Sequence, residues 1–158
     1  MKILIQNTTF YPEVGGVQRY LMEISKEFIK KGYSVSVLCS NPGNKLKSYE
    51  KYKGIEIIRY SQPNIPKKDR WKWPLFHEKE IERKLKELDR NFDLIIARNI
   101  VFVGPDKKFF DKDKIVYISP SVFEVYYHIN VKKYDKKDRE RYRLQKEIFK
   151  RLEQEGLK

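Results

Sequence analysis

The sequence holds a single cysteine, Cys39, so an intrachain disulfide is excluded. Cys39 closes an apolar run, where a buried thiol is the expected role rather than a nucleophile. Histidine is also scarce, with His77 and His128 the only two. One cysteine and two distant histidines make no ligand set for zinc, and no metal is expected. No apolar stretch approaches the ~20 residues that cross a bilayer. Lys2 is followed by only three apolar residues, too few for a secretory signal. The expected compartment is therefore the cytoplasm. Two phosphate-binding signatures are missing as well: there is no Gly-x-Gly-x-x-Gly and no Gly-Lys-Ser/Thr. A dinucleotide turn and a Walker loop are both excluded.

Charge is abundant. Lys and Arg total 35 against 22 Asp and Glu, a formal net charge of +13 over 158 residues. That balance favours an anionic partner, whether a phosphorylated ligand, an acidic membrane surface or a nucleic acid. The basic residues are spread along the chain rather than gathered in one stripe, and no nucleic-acid module is recognisable, so nucleic acid is not expected. Trp71 and Trp73 flank Lys72 beside Lys67, Lys68 and Arg70. Such a cluster suits an anionic membrane surface or a sugar face, and equally a packed loop.

The order of elements is read from periodicity. Ile3–Ile5 form a short buried strand. Val17, Tyr20, Leu21, Ile24 and Phe28 recur at three- and four-residue spacing and mark one helical face. Lys30, Lys31 and then Gly32 supply the C-terminal signals of that helix. Val35–Leu38 begin a second strand, which completes a βαβ unit. A third strand follows Gly54, then a loop from Ser61 to Pro74, then a helix marked by Ile81, Leu85 and Leu88. Further strands lie at Leu94–Ala97 and Ile115–Ile118. A charged helix from about Lys136 to Glu155 carries Leu144, Ile148 and Leu152 on one face. Alternating strands and helices predict an α/β fold: a Rossmann-like open, mostly parallel twisted sheet with helices on both faces. Residues 1–135 are expected to form this domain. Residues 136–158 are expected as an amphipathic helix, packed on it or leading to a further domain.

Ligands of such sheets bind beyond the carboxyl ends of the strands. The candidates are therefore Asn7–Gly16 after the first strand, Arg98 and Asn99 after the fourth, and Ser119–Ser121 after the fifth. Gly15 and Gly16 stand where the first strand's loop meets the helix. A glycine pair there lets a ligand phosphate approach the helix N-terminus, or it merely turns the chain. Phe10, Tyr11 and Glu13 line a pocket or cover the core edge. Ser119 and Ser121 bond sugar hydroxyls or cap a helix.

The segment PEVGGVQRYLMEISKEFIKKGYSVSVLCS resembles the opening of a GT-B glycosyltransferase of family 4. The likeness runs through Pro12, Gly15, Gly16, Gln18, Gly32, Tyr33, Val35 and Val37. FDLIIARN and KIVYISPS are similar to the family's fourth and fifth strands. The resemblance implies one half of a GT-B fold, in which the N-terminal half serves the acceptor and a C-terminal half binds the nucleotide-sugar. It implies that Gly15 and Gly16 face the donor diphosphate, and that Tyr11, Glu13, Arg98, Asn99, Ser119 and Ser121 are candidates for the acceptor. The implied co-substrate is a nucleotide-sugar with no resident cofactor, and the implied acceptor is a glycan or lipid-linked group. Peripheral contact with an anionic membrane at its inner face is a further expectation.

Many family members carry a functional histidine after the fifth strand, and Ser119 holds that position here. Many carry one after the fourth, where this chain has Arg98. The catalytic residue is therefore unassigned, and His128 is read as structural. The second, donor-binding Rossmann-like unit, which carries the Glu-x7-Glu motif in the family, is not found in these 158 residues. The expectation is a retaining transferase domain that is inactive without a donor-binding half. The alternative is a non-catalytic binding module or partner subunit that works with a separate donor-binding chain.

Overall fold

A computed structural model describes residues 1–118 and 136–156. The strands are β1 (Lys2–Gln6), β2 (Ser34–Asn41), β3 (Tyr49–Tyr52), β4 (Ile55–Ser61), β5 (Leu94–Ala97) and β6 (Ile115–Tyr117). The helices are α1 (Gly16–Lys30), α2 (Trp73–Glu87), α3 (Ile100–Phe109) and α4 (Lys136–Gly156). The six strands form one sheet in the order β3-β4-β2-β1-β5-β6. All neighbours pair in parallel except β3, which runs antiparallel to β4 along the edge.

Helix placement follows from handedness. β1 leads through α1 to β2 on one side, and β5 leads through α3 to β6 on the other. Right-handed crossovers in opposite directions put their helices on opposite faces of the sheet. Accordingly Leu21 of α1 packs with Ile3, Ile5, Val35, Val37, Ile55 and Ile57. On the other face Leu4, Leu38, Ile58 and Ile95 pack with Ile81 and Leu85 of α2, Phe102 of α3 and Leu152 of α4. Residues of the central strands alternate between the two faces and are buried on both. Each full burial of a large aliphatic side chain contributes roughly 1.5–3 kcal/mol.

Gly32 ends α1 as expected. Its φ is +82°, and Tyr33 N–H donates to Phe28 O while Gly32 N–H donates to Ile29 O. This pair of bonds is the Schellman arrangement, which a residue with a Cβ adopts only under strain.

Four differences from the sequence reading stand out. β3 is an additional strand. It is short, charged and antiparallel, and its half-exposed alternation (Tyr49, Glu50, Lys51, Tyr52) hides it beside the apolar strands. α3 is an additional helix, which starts after Asn99 and carries Pro105 inside. An all-apolar first turn followed by Gly104-Pro105 conceals the helical period, since proline ordinarily breaks a helix. The loop before α2 is shorter than expected: Lys67–Lys72 form 3-10 turns, and Trp73 and Pro74 already belong to α2. Finally, the apolar face of α1 is only partly buried. Leu21 and Ser25 are covered, but Val17 and Tyr20 are 38% and 46% exposed. They belong to the first turns of the helix, at the loop end of the sheet.

α4 packs on α3 and on the 3-10 turns before α2. Leu152 is buried and Ile148 and Phe149 join the core, while Leu144 stays 40% exposed.

Candidate functional site

β1 lies between β2 and β5, and the chain leaves β1 toward β2 but leaves β5 toward β6. The strand order therefore reverses between β1 and β5, which opens a crevice at their carboxyl ends. Two of the segments singled out from the sequence meet there: the loop after β1 and the Arg98-Asn99 step after β5.

The first loop is pinned at several points. Asn7 N–H donates to Leu38 O at 3.1 Å, and Ser40 N–H to Thr8 O at 3.1 Å. Asn7 Nδ2 donates to Thr9 O at 2.7 Å, and Gln18 Nε2 to Thr9 Oγ1 at 2.6 Å. Phe10 is buried against α1 and the sheet. Buried Arg59 donates through Nη2 to Tyr11 O at 2.7 Å and pairs with Glu50. The loop is thus fixed by β2, α1 and β4 together. Apart from the local Asn7–Thr9 bond, these ties join distant segments and are not legible from the sequence.

Gly15 is the N-cap of α1, with extended φ −165° and ψ 178° that any residue adopts. A Cβ there would meet Gln18 Oε1 at 2.6 Å. At Gly16 a Cβ would meet nothing within 4 Å, and its φ lies outside the left-handed region. Glycine at 16 is therefore not demanded by the packing or by the backbone of this fold. No side chain caps the N-terminus of α1 and no acidic residue occupies its first turn. The N–H groups of Gly16, Val17 and Gln18 precede the first helical bond, which Arg19 N–H makes to Gly15 O at 2.9 Å. The positive end of the helix dipole is open to an anion.

Across the crevice, Arg98 N–H donates to Gln6 O at 2.9 Å, which ties β5's end to β1's. The Arg98 guanidinium lies over the Tyr20 ring, 5.2 Å from its centroid. Asn99 is the N-cap of α3 and accepts from Val101 N–H through Oδ1 at 3.2 Å.

Tyr11 and Glu13 lie elsewhere. They line a groove of about 260 Å³ with Met22, Glu23 and Lys26 of α1 and Tyr52 and Lys53 of the β3–β4 hairpin. Tyr11 stacks on Tyr52 with ring centroids 4.0 Å apart. β3 and β5 lie on opposite sides of β1, so the acceptor candidates fall into two places: Arg98, over Tyr20, and Asn99 follow β5, while Tyr11 and Glu13 lie toward the β3 edge. Ser119, Ser121 and His128 lie outside the described residues.

The sequence missed two polar pairs. Gln6 and Asp106, both fully buried, join β1 to α3 through Gln6 Nε2–H to Asp106 Oδ1 at 2.7 Å. Burial raises the Asp106 carboxyl to about 7, partly offset by that hydrogen bond. His77 of α2 meets Tyr60 Oη at 2.8 Å through Nδ1, and burial lowers it to about 4. Trp73 is half-buried and packs against His77, Phe149 and the core beneath them. Lys72 lies over Trp71 at 4.9 Å. Among the described residues no group of histidine, cysteine or carboxylates is placed to hold a metal ion, and no helix is long and apolar enough to cross a membrane.

A mostly parallel, Rossmann-like open sheet with helices on both faces defines an α/β domain as the class of protein. The particular family is fixed by comparison: the pattern of Glycosyltransferase Family 4 matches residues 14–152, and the chain belongs to that family. No curated protein matches the sequence. Among solved structures, sucrose-phosphate synthase from Thermosynechococcus elongatus is similar, with a TM-score of 0.62 at 11% identity, covering 94% of this chain and 39% of that one. A second structure of that enzyme gives a TM-score of 0.53 at 11% identity, covering 83% of this chain and 70% of that one. The similarity shows a shared fold. The chain spans well under half the length of the first of these structures.

Proposed function

We propose that this chain is the acceptor-side half of a retaining glycosyltransferase, which moves a sugar from a nucleotide-sugar to a glycan or lipid-linked acceptor. In this reading the donor diphosphate lies against Gly15 and Gly16. The N–H groups of the first turn of α1 stabilise the charge that grows on the departing nucleoside diphosphate. The acceptor lies beside Tyr20, Arg98 and Asn99, on the same switch-point edge of the sheet. The donor itself is held by a second, donor-binding half.

The observation that carries this reading is Gly16. It is a glycine whose missing side chain leaves open space, at a helix N-terminus without a cap. A fold that tolerates a side chain there, yet has none, fits a ligand that must come close to the backbone. Family membership supports glycosyl transfer as the chemistry.

The test joins this chain to a donor-binding half of the family and measures nucleotide-sugar turnover, with the anomeric configuration of the product read by NMR. Gly16→Trp is expected to reduce turnover by about a hundredfold, the scale of losing preorganised donors to a leaving group. Unchanged turnover in that variant would remove the diphosphate role, and an inverted anomer would remove the retaining mechanism.

A further inference from the structure

Arg98 differs from Arg59 and Arg83 in its partners. Buried Arg59 has Glu50, and Arg83 has Glu80 and Glu87. Arg98 has no carboxylate partner among the described residues. Its Nε is shielded from solvent and makes no hydrogen bond. A guanidinium left partly desolvated without a counter-charge is costly, because the charge loses water and gains no anion in return. The backbone N–H of Arg98 is tied to Gln6 O, which sets where the side chain starts, and its guanidinium lies on the Tyr20 ring.

Stacked on Tyr20, the guanidinium presents a planar fork of N–H donors. Such a fork matches the two oxygens of a phosphate or carboxylate. Tyr20 is 46% exposed, so the stacked pair stands at the open edge of the crevice rather than inside the core. Asn99 spends its Oδ1 on capping α3, which leaves its amide nitrogen as a donor next in sequence to Arg98.

We infer that Arg98 recognises an anionic group on the acceptor, so that the substrate of this half is a sugar bearing a phosphate or a carboxylate rather than a neutral glycan. Arg98 is a specificity residue here: it selects and orients the acceptor and takes no proton in transfer. The inference rests on the acceptor-side reading above, but anion binding is measurable without any transfer.

The 158-residue chain is titrated with glucose 6-phosphate, glucuronate and glucose, while NMR follows the Arg98 Nε–H signal and the Tyr20 amide. At least one anionic sugar is expected to saturate the site, shifting both signals at concentrations where glucose does nothing. The tighter of the two identifies phosphate or carboxylate as the group read. Arg98→Lys keeps the charge but loses the fork, and is expected to weaken binding about tenfold. Arg98→Gln is expected to abolish it while the remaining spectrum keeps its dispersion. Anionic sugars that bind no better than glucose, or that bind Arg98→Gln as well as the wild type, would overturn the inference. Arg98-dependent binding together with an absence of turnover in the joined enzyme would leave the inference standing and remove the transferase reading alone.

Discussion

Gln6 and Asp106, one hundred residues apart in sequence, meet as a fully buried amide–acid pair beneath the crevice. Gln6 Nε2 donates to Asp106 Oδ1, yet Gln6 Oε1 and Asp106 Oδ2 have no partner. As a carboxylate, Asp106 has nothing to donate. As a neutral acid it has a proton to donate, and the amide of Gln6 carries an acceptor oxygen without a partner. Burial favours that neutral form.

The pair has a measurable pH signature. Asp106 titrates near 3.8 when unfolded and at about 7 when folded. Between those values the folded state keeps a proton that the unfolded state has lost, so stability falls as pH rises, at up to about 1.4 kcal/mol per unit. Its contribution is complete below about pH 4 and gone above about pH 7. Asp106→Asn keeps the shape, accepts from Gln6 and donates back to it. Urea denaturation at pH 7.5 is expected to show the variant more stable than the wild type, with the difference vanishing toward pH 4. Equal midpoints at pH 7.5 would mean that burial does not raise the Asp106 carboxyl.

His77 acts with the opposite sign. Burial lowers it from 6.5 to about 4, against the pull of Glu80. Between those values the unfolded chain takes a proton that the folded chain refuses, so stability falls as pH falls. The two slopes overlap from about pH 4 to 6.5 and largely cancel. His77→Gln, which retains an acceptor for Tyr60 Oη, is expected to expose the Asp106 slope and make the domain more stable at pH 4.5 than at 7. A denaturation series across that range that parallels the wild type would refute the assignment.

The alternation of strands and helices, the Gly32 stop and the glycine junction were legible because they depend on neighbours within a few residues. The fate of Val17 and Tyr20 was not. Their spacing matches Leu21 and Phe28, but burial depends on where the sheet ends relative to the helix, and only the assembled topology sets that. α3 was hidden because Pro105 masks a helix that tertiary packing stabilises. The separation of Tyr11 and Glu13 from Arg98 was equally hidden, since it follows from the strand order β3-β4-β2-β1-β5-β6. The Gln6–Asp106 and Tyr60–His77 pairs join distant segments and carry no local signal.

Cys39 supplies a simpler check. It is buried in β2 on the α1 face of the sheet, and burial pushes its thiol up to about 12. A thiolate is the reactive form, so the native protein holds almost none near neutral pH. Ellman's reagent is expected to label Cys39 only as fast as the domain opens, with full labelling in denaturant. Rapid labelling of the native chain would contradict the buried placement.

Gly16 separates folding from function most directly. A methyl group at this position meets nothing, and Gly16 is the first residue of α1. Alanine loses less backbone entropy than glycine when it becomes helical, so Gly16→Ala is expected to stabilise the domain by up to about 1 kcal/mol. If the glycine is present for the fold, the variant should be less stable. If it is present for a ligand, the variant should be at least as stable yet impaired in turnover when joined to a donor-binding half. The added methyl stands beside the N–H groups that would receive the diphosphate, which a phosphate oxygen must approach to about 2.7–2.9 Å. Urea denaturation and turnover of the same variant therefore decide between the two roles. A variant both more stable and fully active would leave Gly16 without either.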